Sequence, residues 1–295
     1  MTNSRKLAPE QPTDGKGPNG LFIMDLDGTL LRSDRTFAVP DLEALRKLGE
    51  LNVVRAIATG RSLASFNTVV VSDLPVDYIV FSTGAGVLRY QSSEIIRKVH
   101  LEPHEVSRAC EVLNGCRLDF MVHRTIPDNH MFAYLRSNDQ NTDFERRIEL
   151  YKQFAIPLDD VAGDFGPATQ LLAVVPPGSA RAALDKIRAA MTDFNVIQTT
   201  SPLDGKSTWI EIFPSTVSKS QTAAWLADAL GIDHQLIVSV GNDYNDIDLL
   251  EWTTTSYVVN NAPADIKRRF ACVASNNNGG VAEAAQHWIN VRHRV

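Results

Sequence analysis

The stretch FIMDLDGTLL, Phe22 to Leu31, closes an apolar run with two aspartates two residues apart, followed at once by Gly28 and Thr29. Side chains two apart in an extended chain point the same way, so Asp25 and Asp27 can face one site. Carboxylates at close range repel, and the pair therefore asks for a cation. An EF-hand calcium loop does not account for it, because Gly28 falls at loop position four rather than six and Thr36 stands where the bidentate Glu belongs. Simple turn chemistry is the plain alternative.

Outward from Leu21 the order is strand, loop, helix, strand: LFIMD, the leucine-spaced DLEALRKLGELN, VVRAIAT, a helical LASFNTVVV and DYIVFS. Short apolar strands alternating with helices imply a parallel sheet covered on both faces, and such sheets carry their sites at the carboxyl ends of the strands. Asp25 and Thr59 fall at such ends. The rhythm returns late in the chain with the helical SKSQTAAWLADALG, the strand QLIVSVG, the helix DIDLLEW, the strand SYVV and the helix PADIKRRF. From about Val87 to Thr200 helices such as PHEVSRACEVLN and TDFERRIELYKQF mix with strands such as RLDFMVH, QLLAVV and NVIQTT. The expected fold class is α/β: a doubly wound, mainly parallel, Rossmann-like core sheet built from residues 20–86 and 201–295, with an α+β domain inserted at 87–200 and a flexible tail at 1–19.

Length and composition agree with that division. At 295 residues the chain has room for two domains, and 44% hydrophobic with 22% charged residues is an ordinary globular balance. A formal net charge of -6 argues against nonspecific nucleic-acid binding, which needs a basic surface. No apolar run approaches the ~20 residues of a membrane span, and the polar start has no apolar signal core, so a cytoplasmic protein without a membrane partner is expected. Cys110, Cys116 and Cys272 form no C-x-x-C pair and are odd in number, which reads as reduced and structural.

Three further motifs carry chemistry. AIATGRS ends a strand with Thr59 and Gly60, where a hydroxyl and free backbone N–H groups can hold a phosphate oxygen; a Thr N-cap before a permissive Gly is the alternative, and Arg61 reads as solvated or ion-paired. Lys219, in TVSKSQTAAW, sits in the first turn of a helix that Thr216 or Ser218 can cap, where a cation opposes the helix dipole. Local conflict of that kind marks a site. VSVGNDYNDIDLL sets Asn242, Asp243, Asn245 and Asp246 between a strand and a helix, an oxygen-rich cluster suited to Mg²⁺, with Asp246 as helix cap the plain alternative.

In this order the residues resemble the haloacid dehalogenase superfamily of phosphohydrolases. Asp25, Asp27 and Thr29 meet its D-x-D-x-T, Thr59 its second motif, Lys219 its third and the Asn242 to Asp246 cluster its fourth. The long insertion between the second and third motifs, with STGAGV before it and WIEIFPSTVSK after it, looks like the Cof-type sugar phosphatase branch with its mixed cap. The resemblance implies that Asp25 is the nucleophile and becomes an aspartyl phosphate, while Asp27 protonates the leaving alcohol and then activates water. It implies that Thr59 and Lys219 hold the phosphoryl oxygens, with Thr29 and Gly60 also binding substrate. Mg²⁺ would be held by the Asp25 side chain, the Asp27 carbonyl and the Asn242, Asp243 and Asp246 cluster.

The chain departs from the pattern in three places. Asn242 stands where the fourth motif, G-D-x-x-N-D, has its first aspartate, with Asp243 one residue later; G-V-S-K-G appears as TVSKS, and N-G-A as Thr83-Gly84-Ala85. Either Asn242 ligates Mg²⁺ through its amide oxygen or Asp243 reaches in. In the cap, FMVHRTIPDNHMF offers His123, Arg124, Asp128 and His130, of which Arg124 and His130 are the candidates for substrate contact. The expected function is Mg²⁺-dependent hydrolysis of a small phosphorylated metabolite, a sugar phosphate, by a monomer or homodimer. A phosphomutase and a catalytically weakened phosphometabolite-binding protein are the alternatives.

Overall fold

The structure is a computed structural model and describes residues 17–70, 73–137, 140–158 and 165–292. The tail expected at 1–19 therefore lies outside the described residues up to position 16. Its end is tied down, since the Asn19 N–H donates to Asn52 O at 2.8 Å.

The chain forms two compact units, one from the residues up to Lys98 with those from Ser218 onward, the other from Val99–Val217. The first unit takes β1 (Leu21–Met24), β2 (Val54–Ala58), β3 (Tyr78–Phe81), β4 (Gly86–Arg89) and β5 (Glu94–Lys98). The second holds β6 (Asp119–His123), β7 (Phe132–Leu135), β8 (Ala155–Pro157), β9 (Gln170–Val175), β10 (Phe194–Thr200) and β11 (Thr208–Pro214). The chain then returns for β12 (Ile237–Gly241), β13 (Thr255–Val259) and β14 (Ala271–Val273).

The sheet of the first unit runs β14-β13-β12-β1-β2-β3-β4-β5, parallel from β14 to β3 and antiparallel at β4 and β5. All four residues of β1 are fully buried, as a central strand with both faces covered requires. Leu21 and Ile23 pack with Ala223, Leu226 and Leu230 of the helix Lys219–Leu230. Burial of each such leucine or isoleucine side chain is worth about 1.5–3 kcal/mol. On the other face the helices Val39–Glu50 and Gly280–Arg292 pack on one another and on β2, β12 and β13. This is the doubly wound α/β sheet expected.

The units part at 98/99 and 217/218, whereas the change of sequence pattern lies near 86/87 and 200/201. The hairpin β4–β5 extends the parallel sheet by antiparallel pairing, and β11 belongs to the second sheet. An antiparallel strand at the edge of a parallel sheet ends the strand–helix alternation without ending the sheet. The helix expected over LASFNTVVV is confined to Leu63–Phe66, since Thr68, Val69 and Val70 lose side-chain freedom in a helix. PADIKRRF likewise gives only Ala264–Lys267.

The second unit is α+β. Its sheet, β10-β11-β9-β6-β7-β8, is antiparallel except for β7 with β8. Phe120 and Val122 face the helices Pro103–Gly115 and Ala180–Ala190, while Met121 between them faces Phe144 and Ile148 of the helix Thr142–Leu150, as period two demands. Among the described residues no helix is long and apolar enough to cross a membrane.

Candidate active site

The order β12-β1-β2 sets three strand ends side by side at the carboxyl edge of the first sheet. The ladder runs one residue past β1, with the Asp25 N–H donating to Val240 O at 2.9 Å, and the chain then turns through Leu26 to Leu30. Gly28 makes that turn at φ +75°, the left-handed region where a Cβ is costly. A Cβ there would also lie 2.7 Å from Asn242 Nδ2, so the turn and the loop after β12 meet through a missing side chain.

Lys219 opens its helix, which Ser218 caps by accepting the Gln221 N–H at 3.2 Å. Its ammonium is fully buried and donates to Asp25 Oδ1 at 2.7 Å, across 194 residues of sequence, and to Asp246 Oδ1 at 2.6 Å. The two carboxylates offset the unfavourable position at a helix start. Burial works against the lysine's charge, but Asp246 and then Asp25 more than reverse it and hold Lys219 above its ordinary range. Burial pushes the Asp25 carboxyl well above the usual carboxylate range against the pull of Lys219, with Asp246 and Asp27 adding to the push.

Asp246 has both oxygens committed. Oδ1 takes Lys219, and Oδ2 accepts the N–H groups of Asn242 at 2.8 Å and Asp243 at 3.0 Å. Its side chain therefore does not cap the helix Ile247–Trp252; it folds back to fix the loop after β12. Asp243 accepts the Asp246 N–H in a reciprocal capping box of a short 3₁₀ turn.

Asp27 is placed unlike Asp25. The strand ends at Met24, so the two-residue period does not reach Asp27, whose carboxylate is exposed and forked by Arg61 Nε and Nη2 at 2.7 Å each. Arg61 is thus ion-paired, as one reading of the sequence had it. The fully buried Thr59 accepts the Arg61 N–H on Oγ1 at 3.2 Å, and the cap of the following helix is Ser62 rather than Thr59. Thr83 sits against the same loop, donating its N–H to Thr59 O at 2.9 Å, and a Cβ at Gly60 would lie 3.6 Å from Thr83 Oγ1.

The Asn242 amide lies at the centre of the oxygens. One of its ends is 3.1 Å from each of Asp25 Oδ2, the Asp27 main-chain oxygen and Thr29 Oγ1. No group of three or more His, Cys, Asp and Glu side chains placed to hold a metal occurs among the described residues. The donors gathered here are instead one carboxylate, one main-chain carbonyl and one amide. Neighbouring oxygens around a Mg²⁺ with bonds of 2.0–2.1 Å lie about 3 Å apart, and the Asn242 amide end keeps that spacing from the Asp25 and Asp27 oxygens, so these hard donors fit the ion.

Arg124 and His130 lie in the second unit, in the loop between β6 and β7. Arg124 is exposed, and His130 meets Phe154 edge-on with centroids 4.7 Å apart. His123 is buried at the end of β6, with Nδ1 at 2.9 Å from Asn129 O and burial lowering its pKa to about 3. Two features of the first unit escape motif reading: the identity of Arg61's partner, and Asn261, whose Nδ2 donates to Gly28 O at 2.7 Å. The signal for Asn261 is its place just past β13 on the same carboxyl edge.

Comparison with known proteins bears on the family and the fold. A family model described as haloacid dehalogenase-like hydrolase matches residues 22–284. The chain is 23% identical over 280 residues to the 5-amino-6-(5-phospho-D-ribitylamino)uracil phosphatase YwtE of Bacillus subtilis, covering 88% of this chain and 95% of that one. Among solved structures it is similar to the phosphatase BT1666 from Bacteroides thetaiotaomicron, with a TM-score of 0.70, 18% identity and coverage of 94% of this chain and 97% of that one. It is also similar to the subclass IIB sugar phosphatase BT4131, with a TM-score of 0.71, 15% identity and coverage of 91% and 98%.

Proposed function

The chain belongs to the haloacid dehalogenase-like hydrolase family, in its Cof-type branch, and on that premise we propose that it is a Mg²⁺-dependent phosphatase of small phosphorylated metabolites. The observation that carries the reading is the buried Lys219 bridging Asp25 and Asp246 at the edge where β1 and β12 end. A charge triad of this kind is expensive as mere structure, because burying ions costs more than their attraction returns unless the geometry serves another purpose.

In the proposed reaction a carboxylate oxygen of Asp25 attacks phosphorus as the ester P–O bond breaks, and Asp27 gives a proton to the departing alkoxide. Water then attacks phosphorus of the aspartyl phosphate, Asp27 takes up its proton, and inorganic phosphate leaves with the Asp25 carboxylate restored. Lys219 and the Thr59 hydroxyl hold the phosphoryl oxygens. Asp27 leaves the fork of Arg61 to reach the leaving oxygen. The Asp25 carboxylate, the Asp27 carbonyl and Asn242, rather than Asp243 or Asp246, would hold Mg²⁺, which when bound screens the nucleophile from the phosphate charge.

The first unit is on this reading the catalytic core and the second the cap that sets substrate choice, with Arg124 and His130 the candidates for contact. The relatives named for a sugar phosphate and for a phosphorylated ribityl chain share a phosphate ester on a polyhydroxylated carbon chain, and we propose the same class here. Release of phosphate from para-nitrophenyl phosphate or acetyl phosphate with Mg²⁺, lost in Asp25→Asn, tests the enzyme, and a panel of phosphorylated sugars, sugar alcohols and nucleotides tests the class. Equal release by wild type and Asp25→Asn overturns the mechanism. Asn242 favours one other reading, a weakened enzyme that binds its phosphometabolite, which predicts binding without turnover on every member of that panel.

A further inference from the structure

We propose that Asn242 is an amide switch: its NH₂ turns toward Asp25 and Asp27 when no cation is bound, and its carbonyl turns there to ligate the cation. The proposal rests on the reading that this site takes Mg²⁺. One end of the amide is 3.1 Å from Asp25 Oδ2, from Asp27 O and from Thr29 Oγ1. As an oxygen, that end meets two acceptors and only the Thr29 hydroxyl can donate to it; as NH₂, it donates to the Asp25 and Asp27 oxygens. Acceptors left facing one another repel, whereas the NH₂ gains hydrogen bonds there, so the metal-free protein favours the NH₂. The same position filled by an oxygen stands 3.1 Å from the Asp25 and Asp27 oxygens, the spacing of neighbouring donors around a small hard cation.

The exchange is mechanically easy. Asp246 Oδ2 holds the Asn242 N–H at 2.8 Å, so the backbone stays and only the terminal torsion turns, a broad two-fold rotor. The left-handed turn at Gly28 presents no side chain to the other end of the amide, where a Cβ would come within 2.7 Å. An aspartate at 242 cannot play both parts: it binds the cation with one more negative charge, but without the cation it sets a carboxylate against Asp25. Asparagine therefore keeps the site assembled without metal and makes metal binding weak and reversible.

The test compares wild type with Asn242→Asp and Asn242→Ala. Unfolding is followed by heat in EDTA, Mg²⁺ binding by titration calorimetry, and the Asn242 side-chain NH₂ by its ¹H–¹⁵N resonance, assigned by its loss in the variants. In EDTA wild type melts above both variants. Asn242→Asp binds Mg²⁺ about tenfold or more tighter than wild type, and Asn242→Ala does not. The wild-type resonance moves on adding Mg²⁺. Equal melting in EDTA with equal Mg²⁺ affinity for wild type and Asn242→Asp, or a resonance unmoved at saturating Mg²⁺, overturns the switch while leaving the metal site standing. Absence of Mg²⁺ binding in wild type and Asn242→Asp alike overturns the metal reading and the switch with it.

Discussion

Replacing Lys219 by methionine keeps the length of the side chain and removes its charge. The site then holds two buried carboxylates with no cation between them, since Lys219 is the group that bridges Asp25 and Asp246 at 2.7 and 2.6 Å. Breaking a buried pair from one side costs about 3–5 kcal/mol. A domain of ordinary stability survives that loss. Urea unfolding in EDTA, where no divalent ion can substitute for the ammonium, reads it directly. Burial already raises wild-type Asp25 to about 8, and removing Lys219 takes away the group that pulls it down, so the variant's folded form holds that proton to still higher pH. Both proteins bind it below about pH 8, so the deficit from this group grows as pH rises through 8 and is larger at pH 9 than at pH 6. Asp246→Asn in the same chain removes one of the two charges and returns part of the loss. A deficit under about 1 kcal/mol, or one equal at pH 6 and pH 9, refutes the reasoning.

Gly28→Ala meets both a left-handed φ and a contact with Asn242, so it lowers stability by more than about 1 kcal/mol and weakens Mg²⁺ binding; Gly231→Ala, at φ +67° with nothing within 4 Å, costs about 1 kcal/mol and leaves Mg²⁺ binding intact. Calorimetry and urea melts of the two variants should differ in that way, and equal Mg²⁺ affinity would remove the contact from the argument. Arg61→Ala breaks a pair whose Asp27 side chain is 46% exposed, so stability changes by less than about 1 kcal/mol, and kcat does not fall tenfold, because Asp27 has to leave that fork to reach the leaving oxygen. A tenfold or greater fall in kcat would refute it. Asp41 is buried, with Oδ1 accepting the Ala282 N–H at 2.8 Å and Oδ2 without a partner, and burial raises its carboxyl to about 6. Its contribution is full below pH about 4 and is lost as pH rises through 6, so wild-type stability relative to Asp41→Asn should decline by up to about 3 kcal/mol over that interval, and a flat difference would refute it.

Much of the site is legible along the chain because its parts are local. The four buried residues of β1, the alternation of short apolar runs with helices and the rule that parallel sheets work at their carboxyl edge suffice to place Asp25, Thr59 and the loop after Gly241 on one rim. Lys219 is visible as a cation at the wrong end of a helix, and Asn242 as an amide where the family carries an acid. What a residue touches across the rim is not local. Whether Asp243 or Asp246 turns inward depends on the capping box and the 3₁₀ turn, and both have the same residue type and nearly the same neighbours. Asp27 departs from Asp25 because the strand stops at Met24, and its partner Arg61 lies 34 residues away on the next strand end. The hairpin β4–β5 is likewise invisible as core, since antiparallel pairing at an edge leaves no periodicity distinct from that of a new domain. Periodicity and chain order carry strands, helices and the edge where they end, because these follow from bonds between near neighbours. The pairing of charges follows from sheet order and from one left-handed turn at Gly28, and only the folded chain brings those into register.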